Sequence, residues 1–164
     1  MFRSLDEFKG EWKQEAALTQ RVLEALTDES LGQEVAPGFT NLGKLAAHVT
    51  GAVHFLLSLT GLNFSTAVKA DQPSSAKSIA EAYRHDSTAM LEAVDSQWTD
   101  ASLAEVRNFF GHDMPIHAFL RFVIQHQAHH RGQMTILMRQ AGLKVPGIYG
   151  PSREEWEAMQ AAKN

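Results

Sequence analysis

Two histidines one helical turn apart, His126 and His130, have the residue type and spacing best suited to chemistry. They occur in the string HQAHHRGQ, and five of the eight histidines of the chain lie between His112 and His130. On an α-helix, residues four apart are separated by about 40° around the axis, so both rings point the same way. Imidazoles at this spacing can direct ring nitrogens at one ion, as they do in zinc proteases. The spacing therefore predicts half of a metal site.

The pair lies in the middle of an apolar stripe, which we expect to face the protein core. Buried imidazoles without partners would each cost roughly 1–3 kcal/mol, and a shared metal ion would satisfy both. The other members of the stripe lie within about 40° of His126 on a helical wheel; they are Phe119, Phe122, Gln133 and Leu137.

A third ligand is available on an earlier helical segment. His48 is predicted to point inward, because its neighbours within about 60° on the wheel are mostly apolar; they are Asn41, Leu45, Ala52, Phe55 and Leu59. Three inward histidines on two facing helices would leave one coordination position open, the feature that separates catalytic from structural zinc sites. The alternative for His48 is a core histidine that bonds a backbone carbonyl.

The other polar residues near the pair are predicted to lie outside the ligand set. His129 is rotated about 60° from His126, so it either donates a hydrogen bond to the site or lies at the surface. Gln133 either bonds the site or serves helix packing. Arg131 is expected to be a solvated charge at the rim. We expect His54 at the edge of the site or at the surface, His85 at the surface, and His117 on the side of the helix that faces away from the site.

The spacing of the pair also invites a metalloprotease hypothesis. Zinc proteases of the H-E-x-x-H type need the glutamate as general base. Gln127 stands at that position here, and an amide cannot accept a proton from metal-bound water. The sequence therefore argues against a protease.

Four long segments with a hydrophobic period near 3.6 residues predict the helices that position these side chains. They span about 5–26, 41–60, 78–98 and 114–140, followed by a short C-terminal helix. The second is predicted to begin after Thr40 or Asn41, either of which can be its N-cap, and the third begins with a capping box of Ser78 and Glu81. Asp113 is predicted to cap the fourth, and Ser152 with Glu155 forms the capping box of the last.

The pattern predicts an all-α fold, a four-helix bundle in one domain over residues 1–164. The break at 99–113 predicts a long, extended or irregular crossover before the last long helix. Trp12 and Trp156 are candidates for an interface, although either can belong to the core.

Composition excludes several classes of function. The chain has no cysteine, which excludes disulfides, thiolate ligands and a cysteine nucleophile and fits a reducing cytoplasm. Fifteen basic and nineteen acidic residues give a formal charge of −4, so no nucleic-acid partner is expected. The stretch 52–62 is too short to span a bilayer, and the N-terminus lacks the apolar core of a signal peptide. We therefore expect a cytoplasmic protein without a membrane partner.

Three strings resemble a known family, the DinB/YfiT-like metalloenzymes. HQAHHRGQ is similar to the histidine signature of that family, NLGKLAAHVTGAVHFLL to its second helix, and VPGIYGPSREEW to its tail. The resemblance implies a four-helix bundle with up-down-down-up connection, commonly a homodimer, that does not bind DNA. It also implies a divalent metal, nickel or zinc with iron as a further candidate, held by His48, His126 and His130.

The activity implied by the resemblance is a transfer reaction. Members of known activity use a metal and a low-molecular-weight thiol, which they transfer to an electrophilic substrate or use in an isomerisation. A metal with an open position can lower the pKa of a thiol and so provide a nucleophile. The alternatives are a non-catalytic metal-binding stress protein, a metal-dependent hydrolase, and a bundle whose histidines are structural and metal-free.

Overall fold

The computed structural model describes residues 1–68 and 75–163, and within them the fold is helical apart from one small hairpin. Two 3-10 turns, at Asp28–Gly32 and Asp100–Ala104, lie in the connections. The helices are α1 (Leu5–Glu24), α2 (Leu42–Ser58), α3 (Ala76–Gln97), α4 (Ile116–Gln140) and α5 (Arg153–Ala161), and the strands are β1 (Val106–Phe109) and β2 (His112–Pro115).

The four long helices form the predicted bundle. Each of α1 and α2 packs against both α3 and α4, so the apolar stripes of all four helices meet in one core. Trp12 lies in this core, fully buried, and its indole Nε1 donates to Ser87 Oγ at 2.8 Å. Of the two positions left open for Trp12 by the sequence, the core is therefore the one observed, whereas Trp156 is 53% exposed.

Most helix starts follow the side-chain chemistry read from the sequence. Asn41 caps α2, where its Oδ1 accepts from Lys44 N at 2.8 Å, and Ser152 and Glu155 form the box at the start of α5. The box of α3 lies three residues earlier than predicted, at Ser75 and Ser78, because serine hydroxyls there satisfy the same end groups.

The start of α4 differs from the prediction. Asp113 is not its cap: Asp113 lies in β2, where its Oδ1 accepts from Asn108 Nδ2 at 2.7 Å across the hairpin. Pro115 occupies the cap position without a side-chain bond, and Ile116 N donates instead to the carbonyl of Glu105 at 2.9 Å. Tertiary contact thus replaces the local cap.

The crossover before α4 is an ordered antiparallel hairpin. Phe109 pairs with His112, and the two turn residues, Phe110 and Gly111, have φ of 54° and 88°, as in a type I′ turn. The Phe109 ring stacks on the Phe119 ring with centroids 3.8 Å apart. This contact anchors the hairpin to α4.

A buried ion pair joins α1 to α4, which corrects the assignment of Arg131 as a solvated charge. The Arg131 side chain is 1% exposed, and its Nη2 lies 2.6 Å from Glu15 Oε2. Its Nη1 donates to Thr19 Oγ1 at 3.0 Å, and its Nη2 to the Tyr149 hydroxyl at 2.5 Å. The network therefore ties the chain after α4 to the bundle.

None of the helices within residues 1–68 and 75–163 combines the length and apolar character needed to cross a bilayer.

We expect the change Arg131→Met to lower the free energy of unfolding by about 3–5 kcal/mol, because it leaves the Glu15 carboxylate buried without its cation. Urea unfolding measures this loss. The matched control is Arg153→Met, which breaks an exposed pair with Glu157 and should change the free energy by less than about 1 kcal/mol. Equal losses in the two variants would contradict the assignment.

Candidate metal centre

The three predicted ligands come together where α2 faces α4. One ring nitrogen from each of His48, His126 and His130 lies within 4.8 Å of the others. His48 Nε2 and His126 Nε2 are 3.2 Å apart, and the His130 ring centroid lies 4.5 Å from that of each of the other two. Helical-wheel reasoning thus selected the right set of neighbours, and their role as ligands stays a prediction.

The spacing of the nitrogens fits a metal ion. Imidazole nitrogens bind zinc at about 2.0–2.1 Å, so two ligands at the tetrahedral angle lie about 3.4 Å apart. The 3.2 Å between the two Nε2 atoms is close to that value. A three-histidine cluster of these dimensions can hold a divalent ion with at least one coordination position free for another molecule.

Gln133 fixes the orientation of one ligand. His130 Nδ1 lies 2.8 Å from Gln133 Oε1, and an amide oxygen only accepts, so Nδ1 carries the proton and Nε2 keeps its lone pair for a metal. Of the two roles left open for Gln133 by the sequence, the hydrogen bond to the site is the one observed.

The electrostatic environment keeps two of the rings neutral. Burial, followed by the neighbouring rings of His130, His48 and His129, lowers the pKa of His126 to about 4. Burial also lowers the pKa of His130, against the opposing effect of its bond to Gln133. Neutral imidazole is the form that binds metal, so both rings are ready to act as ligands near neutral pH.

The site is more open than predicted. His126 and His130 are half-buried and His48 is exposed, so His48 does not point into the core. Phe122 is 42% exposed, and Gln133 is also exposed. The wheel gave the direction of these side chains correctly, but that direction leads to the boundary between α2 and α4 and into a cavity open to solvent.

The cavity beside the cluster has a volume of about 550 Å³ and a mostly apolar wall. Two of the three histidines, His48 and His126, belong to this wall. The other lining residues are Ala47, Gly51, Ala52, Phe55, Leu56, Phe110 and Phe122. An ion held by the histidines would therefore lie at the edge of a space large enough for a small molecule.

The remaining histidines lie outside the cluster. His129 is exposed with its ring 4.8 Å from that of His130, and His54 is half-buried with Nε2 3.1 Å from the carbonyl of Phe64. His85 is exposed, and His117 Nδ1 contacts Met1 Sδ at 3.0 Å.

Sequence reasoning missed Phe110 as a wall residue and the Glu15–Arg131–Tyr149 network behind the site. A Phe-Gly pair between two short extended segments was the available signal for the hairpin turn. Nothing local signalled the network, because its members are far apart in the chain.

Comparison with known proteins settles the family. A model described as "DinB family" matches residues 1–163. The chain belongs to the DinB family. The uncharacterized protein YrdA of Bacillus subtilis is 50% identical to this DinB-family chain over 157 residues, which are 95% of this chain and 94% of YrdA.

Two crystal structures of DinB-like proteins are similar to this fold. The one from Bacillus cereus is 50% identical, with a TM-score of 0.86 over 91% of this chain and 100% of that chain. The one from Bacillus subtilis, YjoA, is 17% identical, with a TM-score of 0.69 over 90% of this chain and 99% of that chain. At that lower identity the likeness concerns the fold alone, which is the all-α DinB bundle.

We expect each of the changes His48→Ala, His126→Ala and His130→Ala to weaken binding of a divalent metal by more than about 100-fold, because loss of a direct ligand exceeds the 10–100-fold effect of outer contacts. Competition of the untagged protein against a chromophoric chelator measures the affinity. The matched control, His129→Ala on the same helix, should keep the affinity of the parent chain. Equal binding by all four variants would refute the predicted ligand set.

We also expect Gln133→Ala to weaken metal binding by about 10-fold, since His130 loses the acceptor that fixes its tautomer. Gln133→Glu should restore the affinity, because a carboxylate accepts the same proton. Gln125→Ala, at another exposed position of α4, is the control. Chelator competition reports all three, and unchanged affinity in Gln133→Ala would show that the bond does not support the site.

Proposed function

We propose that this protein is a divalent-metal-dependent transferase that joins a low-molecular-weight thiol to an electrophilic small molecule. The observation that carries the proposal is that His48 and His126 belong both to the three-histidine cluster and to the wall of the 550 Å³ cavity. Substrate in the cavity would thus lie next to the ion. Membership of the DinB family agrees with this assignment.

Each part of the site has a role in this proposal. His48, His126 and His130 hold the ion, and Gln133 keeps His130 in the binding tautomer. A divalent ion bound there supplies a Lewis acid that lowers the pKa of a thiol. The wall is mostly apolar, so a substrate that fills the cavity would displace water from around the reacting sulfur.

The main alternative, a non-catalytic metal-binding stress protein, is less well supported. That hypothesis requires no cavity beside the cluster, whereas a cavity shares two of its histidines. The hydrolase alternative needs a general base, and no carboxylate belongs to the cavity wall within the described residues. Gln127 is buried, and its Oε1 accepts from the Tyr83 hydroxyl on the inner side of α4.

The three imidazole ligands limit which metal ions fit the site. Three neutral imidazoles suit nickel and zinc, with iron a further candidate. We propose that the protein binds a small thiol and an electrophile and that it works as a homodimer. We propose no nucleic-acid partner and no membrane partner. Small thiols are kept reduced in the cytoplasm, where we expect the protein to act.

The test is an activity assay on the metal-loaded, untagged chain with several small thiols and chlorodinitrobenzene. The sulfur–carbon bond forms as chloride leaves, and the thiol proton goes to the buffer. We expect at least one thiol to react about 10-fold or more above its uncatalysed rate, with the gain lost in His126→Ala and kept in His129→Ala. No gain with any thiol would overturn the proposal.

A further inference from the structure

The wall of the cavity is almost free of polar groups apart from the two histidines. Three phenylalanines of this wall lie outside the buried core. They are Phe55, Phe110 and Phe122, which are 58%, 62% and 42% exposed. No Lys, Arg, Asp or Glu belongs to this wall in the part of the chain that the structure describes. A charged group entering the cavity would lose hydration without gaining a counter-charge, whereas an apolar group would gain from leaving water.

Small residues on α2 make the space. Ala47, Gly51 and Ala52 lie along the wall, and a Cβ added at Gly51 would meet no atom within 4 Å. The helices therefore leave room beside His48 and His126 that larger side chains would fill. The space is continuous with the cluster, so one molecule can occupy the cavity and reach the ion.

Phe110 has a backbone conformation that phenylalanine rarely adopts. Its φ of 54° is in the left-handed region, where glycine and asparagine are at ease and a bulky aromatic residue is an outlier. Its ring is mostly exposed and lies 6.3 Å from the Phe119 ring, whereas the stacked contact that anchors the hairpin to α4 is the one between Phe109 and Phe119, at 3.8 Å. Neither burial nor turn chemistry explains a phenylalanine here, whereas its position at the rim of the cavity does.

We propose that the cavity binds the uncharged apolar body, aromatic or branched, of a small molecule whose donor atom reaches the histidine cluster, and that Phe110 is a specificity-determining residue of this site. The inference rests on the proposed function for the presence of the ion. It names the substrate class of the same site: neutral apolar molecules in preference to anionic or strongly polar ones.

The first experiment measures the preference on the cobalt-loaded chain. Benzyl mercaptan, mercaptoethanol and mercaptoethanesulfonate have thiols of similar acidity but an apolar, a small polar and an anionic body, and a sulfonate is a poor metal ligand. Their binding is followed by the sulfur-to-cobalt charge-transfer band. We expect benzyl mercaptan to bind about 10-fold tighter than mercaptoethanol, since a phenyl ring leaves water, and mercaptoethanesulfonate to bind more weakly than both. Equal affinities would overturn the inference and leave the proposed function standing.

The second experiment separates the role of Phe110 in binding from a role in folding. Phe110→Asn suits the left-handed turn, so we expect an unchanged or higher melting temperature and unchanged cobalt affinity. The preference for benzyl mercaptan should fall about 3–5-fold, because part of the apolar wall is lost. Phe39→Asn is the matched control, since Phe39 is 67% exposed and lies outside the wall; its preference should stay as in the parent chain.

Other outcomes are equally decisive. If no thiol changes the cobalt spectrum, the proposed thiol function fails. The binding of imidazole is then compared with that of a phenyl-substituted imidazole, which tests the cavity alone. A 10-fold higher affinity for the phenyl compound would support the inference about the cavity, and equal affinities would overturn it. If Phe110→Asn lowers the melting temperature, Phe55→Ala repeats the comparison. If either variant turns a dimer into a monomer with the preference unchanged, a second copy of the chain covers the phenylalanines, and the inference is wrong.

Discussion

The buried pair between Glu15 and Arg131 is the interaction on which the geometry of the site depends. Arg131 directly follows His130, so the two side chains leave α4 about 100° apart. Because a guanidinium that loses its carboxylate in a buried setting is costly, α4 cannot rotate about its axis without breaking the pair. Gln127, which follows His126, repeats the arrangement through its bond to Tyr83 on α3. Two adjacent turns of α4 are thus held from the inside, and the histidines are presented about 100° away around the helix.

The histidine cluster is then completed across a helix–helix boundary. The packing of α2 against α4 brings His48 to the pair. Small residues of α2 (Ala47, Gly51 and Ala52) leave the space beside the cluster unfilled. The result is a group of ligands at the wall of a cavity, with His126 and His130 half-buried and His48 exposed. Desolvation is enough to keep His126 neutral, yet the cluster stays accessible to a molecule from solution.

The hairpin before α4 links this boundary to the crossover. Its buried ring, Phe109, stacks on Phe119 of α4, and the next residue, Phe110, reaches the cavity. Phe119 in turn lies 5.6 Å from Phe122, whose ring is 6.0 Å from His126. A chain of aromatic contacts therefore runs from the turn to the cluster, so the position of the crossover and the shape of the site are connected.

The sequence by itself determined the helices, most of their caps and the identity of the clustered histidines, because these depend on periodicity and on contacts within a few residues. His126 and His130 share a face of α4 wherever that helix packs in the fold. Asn41 caps α2 by accepting a hydrogen bond from the backbone N–H of Lys44, three positions away. Only the tertiary structure decided what each face meets. Arg131 was expected in solvent because its partners, Glu15 and Tyr149, lie on other segments, and Asp113 lost its capping role to a partner across the hairpin. The same limit applies to the site: a helical wheel gives the direction of His48, but only the packing of α2 on α4 decides whether that direction leads to core, solvent or cavity.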